Sequence, residues 1–110
     1  MAKAPLREPT FLILTSLAGE PRHGYGILRD VTELSDGRVT LRAGTLYGSL
    51  DRLVEEGLVG PDHEEIEQGR LRRYYRITGL GREVLAAEAT RLEANARAAN
   101  TRLRLRSQPA

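Results

Sequence analysis

Hydroxyls, guanidinium groups and bare backbone are the chemistry that this chain repeats at regular spacing. Thr45, Gly48, Ser49 and Arg52 recur at steps of three and four between Ala43 and Gly57. Residues three and four apart share one face of a helix. With Tyr47 at its flank, that face is slim and polar where a solvated helix would carry Glu and Lys. A hydroxyl can meet a base edge or a phosphate, and an arginine can take a guanine edge or a backbone oxygen. A helix end of this composition fits a DNA major groove without steric conflict. An ordinary surface helix with a few small residues would look the same, so the neighbouring elements have to carry the distinction.

Other chemistries are poorly served. The chain has no cysteine, which removes disulfides, thiolate metal sites and cysteine nucleophiles together. His23 and His63 lie far apart and show no ligand spacing. Gly24-Tyr25-Gly26 is not a phosphate-binding fingerprint, and no nucleophile stands beside a base. These observations argue against an enzyme, a metal site and a cofactor. Net charge is only +2 although the sequence pI is near 9.4, so the distribution of charge must speak for a nucleic-acid partner. Lys3 is the single lysine among 17 basic residues. A secretion signal is outlined by Lys3 and Arg7 ahead of Phe11-Leu12-Ile13-Leu14. Glu8 and Pro9 interrupt it and the apolar run is short. No stretch is apolar enough to span a membrane, and the expected location is cytoplasmic.

The elements that must position the polar face follow from pattern. At 110 residues, with 40% hydrophobic and 29% charged residues, the chain is one domain with a modest core. Residues 1–8 read as a loose arm. A first helix starts at Pro9 or Thr10, where proline is tolerated, and stops near Gly19. A second covers His23 to Leu34, with Ile27, Leu28, Val31 and Leu34 facing inward. Gly24 and Gly26 at its start serve either tight packing or close approach of a phosphate. Ser35-Asp36-Gly37 is a turn, and Arg38-Val39-Thr40-Leu41 reads as a short strand. In the third helix Leu46, Leu50, Leu53 and Val54 form the inner stripe, and Gly57 stands where a helix C-terminal glycine belongs.

Leu58-Val59-Gly60 then reads as a strand, Asp62 to Gln68 as an acidic loop closed by Gly69, and Arg72 to Ile77 as a second strand. Helix, helix, short strand, helix, strand, strand is the order of a winged helix-turn-helix. Thr78 is an N-cap for a last helix from Leu80 to about Arg106, free of proline and rich in helix formers. Within it Leu85, Ala89, Leu92, Ala96, Ala99 and Leu103 alternate steps of four and three, the a/d seam of a coiled coil. The expected fold is therefore mainly α with a small β wing. Residues 1–78 form a winged helix-turn-helix domain, and 79–110 form a C-terminal dimerisation helix with a frayed tail from Ser107. Packing of that helix on its own domain alone is the competing reading. In the favoured one, Phe11 and Leu14 of the first helix join the homodimer contact.

Taken together, the chain resembles the PadR family of regulators. The likeness rests on His23-Gly24-Tyr25-Gly26-Ile27, on Gly44-Thr45-Leu46-Tyr47, and on Leu50 and Leu53 before Gly57-Leu58-Val59. It continues in Tyr74-Tyr75-Arg76-Ile77-Thr78 and Gly81. The short C-terminal part is similar to the subfamily that ends in a single dimerisation helix. The resemblance implies a dimeric transcriptional regulator, usually a repressor, released from DNA by a small molecule. It places Tyr25, Thr45, Tyr47 and Ser49 on the DNA. Some relatives hold flat aromatic drugs between tryptophans at the dimer interface; this chain has no Trp, which puts that mode in doubt.

From the residues themselves, Thr45, Tyr47, Gly48 and Ser49 would enter the major groove, with Arg42 and Arg52 on backbone or a guanine edge. Tyr47 is equally a packing residue with its hydroxyl on a phosphate. Arg70, Arg72 and Arg73 are the wing candidates, although carboxylates in the adjoining acidic loop would repel phosphates. Two-fold symmetry predicts an inverted-repeat operator. A winged helix that binds protein instead of DNA is the alternative, opposed by these arginines.

Overall fold

A computed structural model describes residues 5–107. Helix α1 spans Glu8–Gly19 and is followed by a two-residue strand β1, Arg22–His23, and helix α2, Gly24–Leu34. Helix α3 covers Ala43–Glu55, strands β2 and β3 cover Val59–Glu67 and Arg70–Ile77, and α4 runs Gly79–Ser107. The sheet is antiparallel in the order β1-β3-β2. This is a winged helix-turn-helix with a long terminal helix.

The core lies where α1, α2 and α3 meet under the base of the sheet. Ile13, Leu14, Ile27, Val31, Leu46 and Leu50 are completely buried there, with Leu17, Leu53, Leu58, Val59 and Ile77 nearly so. Each such side chain contributes roughly 1.5–3 kcal/mol on leaving water. Leu14 therefore belongs to the protein's own core and is unavailable to a dimer contact. α1 turns that side inward, and its half-buried Phe11 lies outside the core cluster.

The first edge of the sheet is not where the sequence suggested. Residues 38–41 form no strand: Val39 N–H donates to Ser35 Oγ (3.0 Å) and the Ser35 hydroxyl donates to Val31 O (2.9 Å). Gly37 N–H closes the end of α2 on Thr32 O (2.8 Å). With its backbone drawn into this turn, the segment offers no ladder. Arg22 and His23 take the place beside β3 opposite Tyr75 and Tyr74.

The acidic stretch 62–68 is also not a loop. Residues 62–67 continue β2, past an irregularity between Pro61 and Glu64, and β3 begins at Arg70 rather than Arg72. Each glutamate of the far half stands opposite an arginine in the ladder: Glu64 opposite Arg73, Glu65 opposite Arg72, Glu67 opposite Arg70, with Glu64 and Arg73 within ion-pair distance. Opposite charges facing one another favour pairing over a loop. Gln68 and Gly69, both at positive φ, make the tight turn.

Backbone caps fix how α3 and α4 leave the core. Past α3, Gly57 N–H bonds Val54 O (3.0 Å) and Leu58 N–H bonds Leu53 O (2.9 Å), the paired bonds of a Schellman end. Thr78 Oγ1 accepts from Gly81 N–H (3.0 Å) and donates to Gly57 O (2.6 Å), so one side chain starts α4 and ties it to the end of α3.

The 29 residues of α4 extend about 43 Å at ~1.5 Å each. Val84 and Leu85 pack against the core, while every residue from 91 to 107 is exposed, among them Leu92, Ala96, Ala99 and Leu103. No described helix is long and apolar enough to cross a membrane.

The arm is firmer near α1 than a loose segment would be. Leu6 packs on the core and its N–H donates to Glu88 Oε2 (2.8 Å), and Arg91 grips both Glu88 oxygens at 2.8 Å. That guanidinium holds the Glu88 carboxyl below the usual carboxylate range. Residues 1–4 and 108–110, the far ends of the expected arm and tail, lie outside the described residues.

Candidate nucleic-acid interface

The N-terminal half of α3 presents what the spacing promised, with one exception. Arg42 precedes the helix in extended conformation, and Arg42, Thr45, Tyr47, Gly48 and Arg52 are all exposed. Ser49 is not: only 9% of it is exposed. It lines a shallow pocket together with Leu53, Leu6 and Thr10. The exposed set on this face therefore loses Ser49, and no acidic residue falls among residues 42–50.

Tyr47 accounts for the first of the early glycines. Its phenol ring lies so close over Gly24 that a Cβ there would collide with its hydroxyl and ring. Gly24 is thus a packing glycine that lets α2 and α3 approach. Tyr47 nevertheless stays 46% exposed, a half-seated residue with its hydroxyl end over Gly24.

Beside it, the start of α2 forms a second basic patch. His23 caps the helix by accepting from Gly26 N–H at Nδ1 (3.1 Å). Tyr25 is 54% exposed, with the guanidinium carbons of Arg29 and Arg72 each 5.9 Å from its ring centre. Both lie within cation–π range. α2 thereby joins the wing, and Arg72 is held half-buried with its Nε lacking any hydrogen-bond partner. Arg29 was not anticipated, although its position four residues after Tyr25 on one helix could have indicated it.

The remaining wing arginines are less free than their number suggests. Arg73 Nε lies 3.5 Å from Glu64 Oε2, with both side chains mostly in water. Arg70 is exposed next to the turn.

On the β2 side, His63 stacks on Tyr74 at 4.2 Å, its Nδ1 2.5 Å from Asp62 and its Nε2 2.9 Å from Glu65. Only the imidazolium can donate from both nitrogens at once. The bonds to Asp62 and then Glu65 accordingly raise the His63 pKa above its ordinary value, and the same bond lowers that of Glu65. Tyr74 donates to Glu67 (2.6 Å), which holds its phenol protonated.

Between α3 and the wing lies a cleft of about 810 Å³, with Val54, Pro61 and Tyr75 in its lining. Asp51, Glu55, Asp62 and Glu64 also line it, outnumbering Arg73 and His63. Four carboxylates make it a poor path for a phosphate strand, so the surface suited to DNA narrows to the start of α3, the start of α2 and the wing tip. Among the described residues no group of His, Asp and Glu converges to hold a metal ion.

Residues 13–87 match the transcriptional regulator PadR-like family. The chain belongs to that family. It is 36% identical over 85 residues to the transcriptional regulator Rv3488 of Mycobacterium tuberculosis, covering 77% of this chain and 76% of that one. The fold is similar to a PadR family transcription regulator of Clostridium difficile, at TM-score 0.73 and 22% identity, covering 88% of this chain and 99% of the other. It is also similar to Bacillus subtilis PadR, solved in complex with operator DNA, at TM-score 0.64 and 22% identity over 74% of this chain and 47% of that one. The family is one of transcriptional regulators and not of enzymes.

Proposed function

We propose that this regulator binds an inverted-repeat operator in the cytoplasm as a homodimer, acts as a repressor, and leaves the DNA when a small molecule binds. The observation that carries the DNA reading is the start of α3: Thr45, Tyr47 and Gly48 exposed, Arg42 and Arg52 at the sides, and no carboxylate on residues 42–50. In this reading those residues enter the major groove, while Tyr25 and Arg72 meet the backbone. The operator complex of the Bacillus subtilis relative supports a DNA partner. The exposed apolar seam of α4, from Ala89 through Leu92, Ala96, Ala99 and Leu103, supports the dimer. With 79–110 serving as the dimerisation segment, residues 1–78 are the DNA-binding domain.

Arg52→Ala tests the assignment on a duplex that the wild-type protein selects from a random library. Removing one phosphate contact per protomer, two per dimer, should flatten the slope of log affinity against log salt by about 1.8. An unchanged slope would remove Arg52 from the backbone contacts. Arg73→Ala should change the slope less, because Glu64 already lies against its guanidinium.

A further inference from the structure

The cleft of about 810 Å³ between α3 and the wing has the size of a site for a drug-sized molecule. Its lining is of two kinds. Val54, 41% exposed, Pro61 and the half-buried Tyr75 offer apolar surface, and His63 stacked on Tyr74 adds a flat aromatic wall. Around them stand four carboxylates, of which two are engaged: Asp62 with His63 and Glu64 with Arg73. Asp51 and Glu55 have no cationic partner among the described residues. They lie one turn apart on α3, where like charges repel. Glu55 is also the last residue of that helix, the end at which the helix dipole disfavours a carboxylate. Both placements work against the helix, and a positive charge seated beside the pair would relieve both.

We propose that this cleft is the effector site and that it takes a hydrophobic organic cation. The apolar body would lie against Val54, Pro61 and Tyr75, with its charge at Asp51 and Glu55. This rests on the reading above, in which a small molecule releases the DNA. The site is complete within one chain and needs no residue from a dimer partner. Its position supplies the coupling: α3 and the wing are its two walls, so an occupant braces the recognition helix against the hairpin and fixes their separation. A duplex that requires another separation then binds less well, and by linkage it weakens the occupant by the same factor. The unpaired carboxylates exclude organic anions.

Calorimetric titration of the full chain with tetraphenylphosphonium, and separately with tetraphenylborate, tests this. The two ions are nearly alike in shape and opposite in charge. The cation should bind once per chain, and the borate should not bind measurably. Asp51→Asn/Glu55→Gln should weaken the cation roughly tenfold, for two contacts in a partly open site. The same variant should keep or slightly raise the melting temperature, because repulsion along α3 is removed. Val54→Thr, which keeps the shape and adds a hydroxyl to the floor, should weaken the cation several-fold. Saturating cation should lower affinity for the selected duplex, and the duplex should lower affinity for the cation equally. Equal binding of the two ions, one site per two chains, or unchanged affinity in the double variant would each overturn the cleft site. Cation binding with no change in duplex affinity would overturn its effector role. A short arginine peptide that binds more tightly than the cation would assign the cleft to a basic protein segment and likewise overturn the proposal. Failure of the wild type to select any duplex would overturn the operator reading, and the titrations without DNA would still decide the cleft.

Discussion

Helices α3 and α4 carry the same kind of pattern and meet opposite fates. In α3, Leu46, Leu50 and Leu53 repeat at helical spacing and are buried by α1, α2 and the sheet. In α4, Leu85 to Leu103 repeat as regularly, yet Leu92 is 40% exposed and Leu103 67%. The patterns are comparable; reach is what differs. α3 is 13 residues long and ends on the domain, while α4 continues for 29 and leaves it behind. A stripe says that a face is to be buried, and only the extent of the chain around it says whether the same molecule can do the burying.

The sharpest way to break this contrast is to cut one leucine from each stripe. Leu50→Ala should lower unfolding free energy by ~2–5 kcal/mol, since a fully buried leucine leaves a cavity. Chemical denaturation should report that loss at every protein concentration. Leu92→Arg should leave the secondary structure of the single chain nearly intact and weaken association by roughly 2 kcal/mol. Its melting temperature should then stop rising with protein concentration, as it does in an associating wild type. If both variants lose stability independently of concentration, the two helices are alike and the contrast is wrong.

The smallest expected effect concerns pH and the wing. Folding raises the His63 pKa above 6.5, so its contribution is complete below 6.5 and disappears as pH climbs through the raised native value. Folding lowers the Glu65 pKa below 4.5, so that contribution is complete above 4.5 and is lost as pH falls through the native value. The clamp thus works between mildly acidic and neutral pH. His63→Gln should flatten the fall in melting temperature above pH 6.5 without touching the α3 stripe. The change will be slight, because the cluster is open to solvent.

The sequence was most readable where a cap or a long period marks an element. Gly57 and Thr78 end α3 and start α4 through bonds that their residue types favour, and the stripe of α3 assigned Leu46, Leu50 and Leu53 correctly but not Val54, which is 41% exposed. It was least readable where pairing depends on distant partners. A two-residue strand at Arg22–His23 has no period to detect, and its place is set by Tyr74 and Tyr75, some fifty residues on. The run Asp62 to Gln68 looks like solvent-seeking chain until Arg70, Arg72 and Arg73 are set opposite it.

Within the site, Ser49 and Leu14 failed for one reason. Periodicity locates a face but not the width of what covers it, and the chain around Leu6 and the tight packing of α1 extend burial further round each helix. Tyr47, Arg42 and Arg52 stand on the surface, as do the wing candidates Arg70 and Arg73 and Tyr25, to which only the resemblance pointed, with Arg72 half-buried beside Tyr25.

Sedimentation equilibrium at low micromolar concentration tests the central claim most directly, because the symmetry of the operator and the pairing of recognition helices both depend on the unclaimed seam of α4. The account predicts twice the 12.2 kDa chain mass for the wild type, reverting to a single chain in Leu92→Arg. A wild-type mass of one chain, with α4 exposed to rapid hydrogen exchange from Arg91 onward, would contradict it.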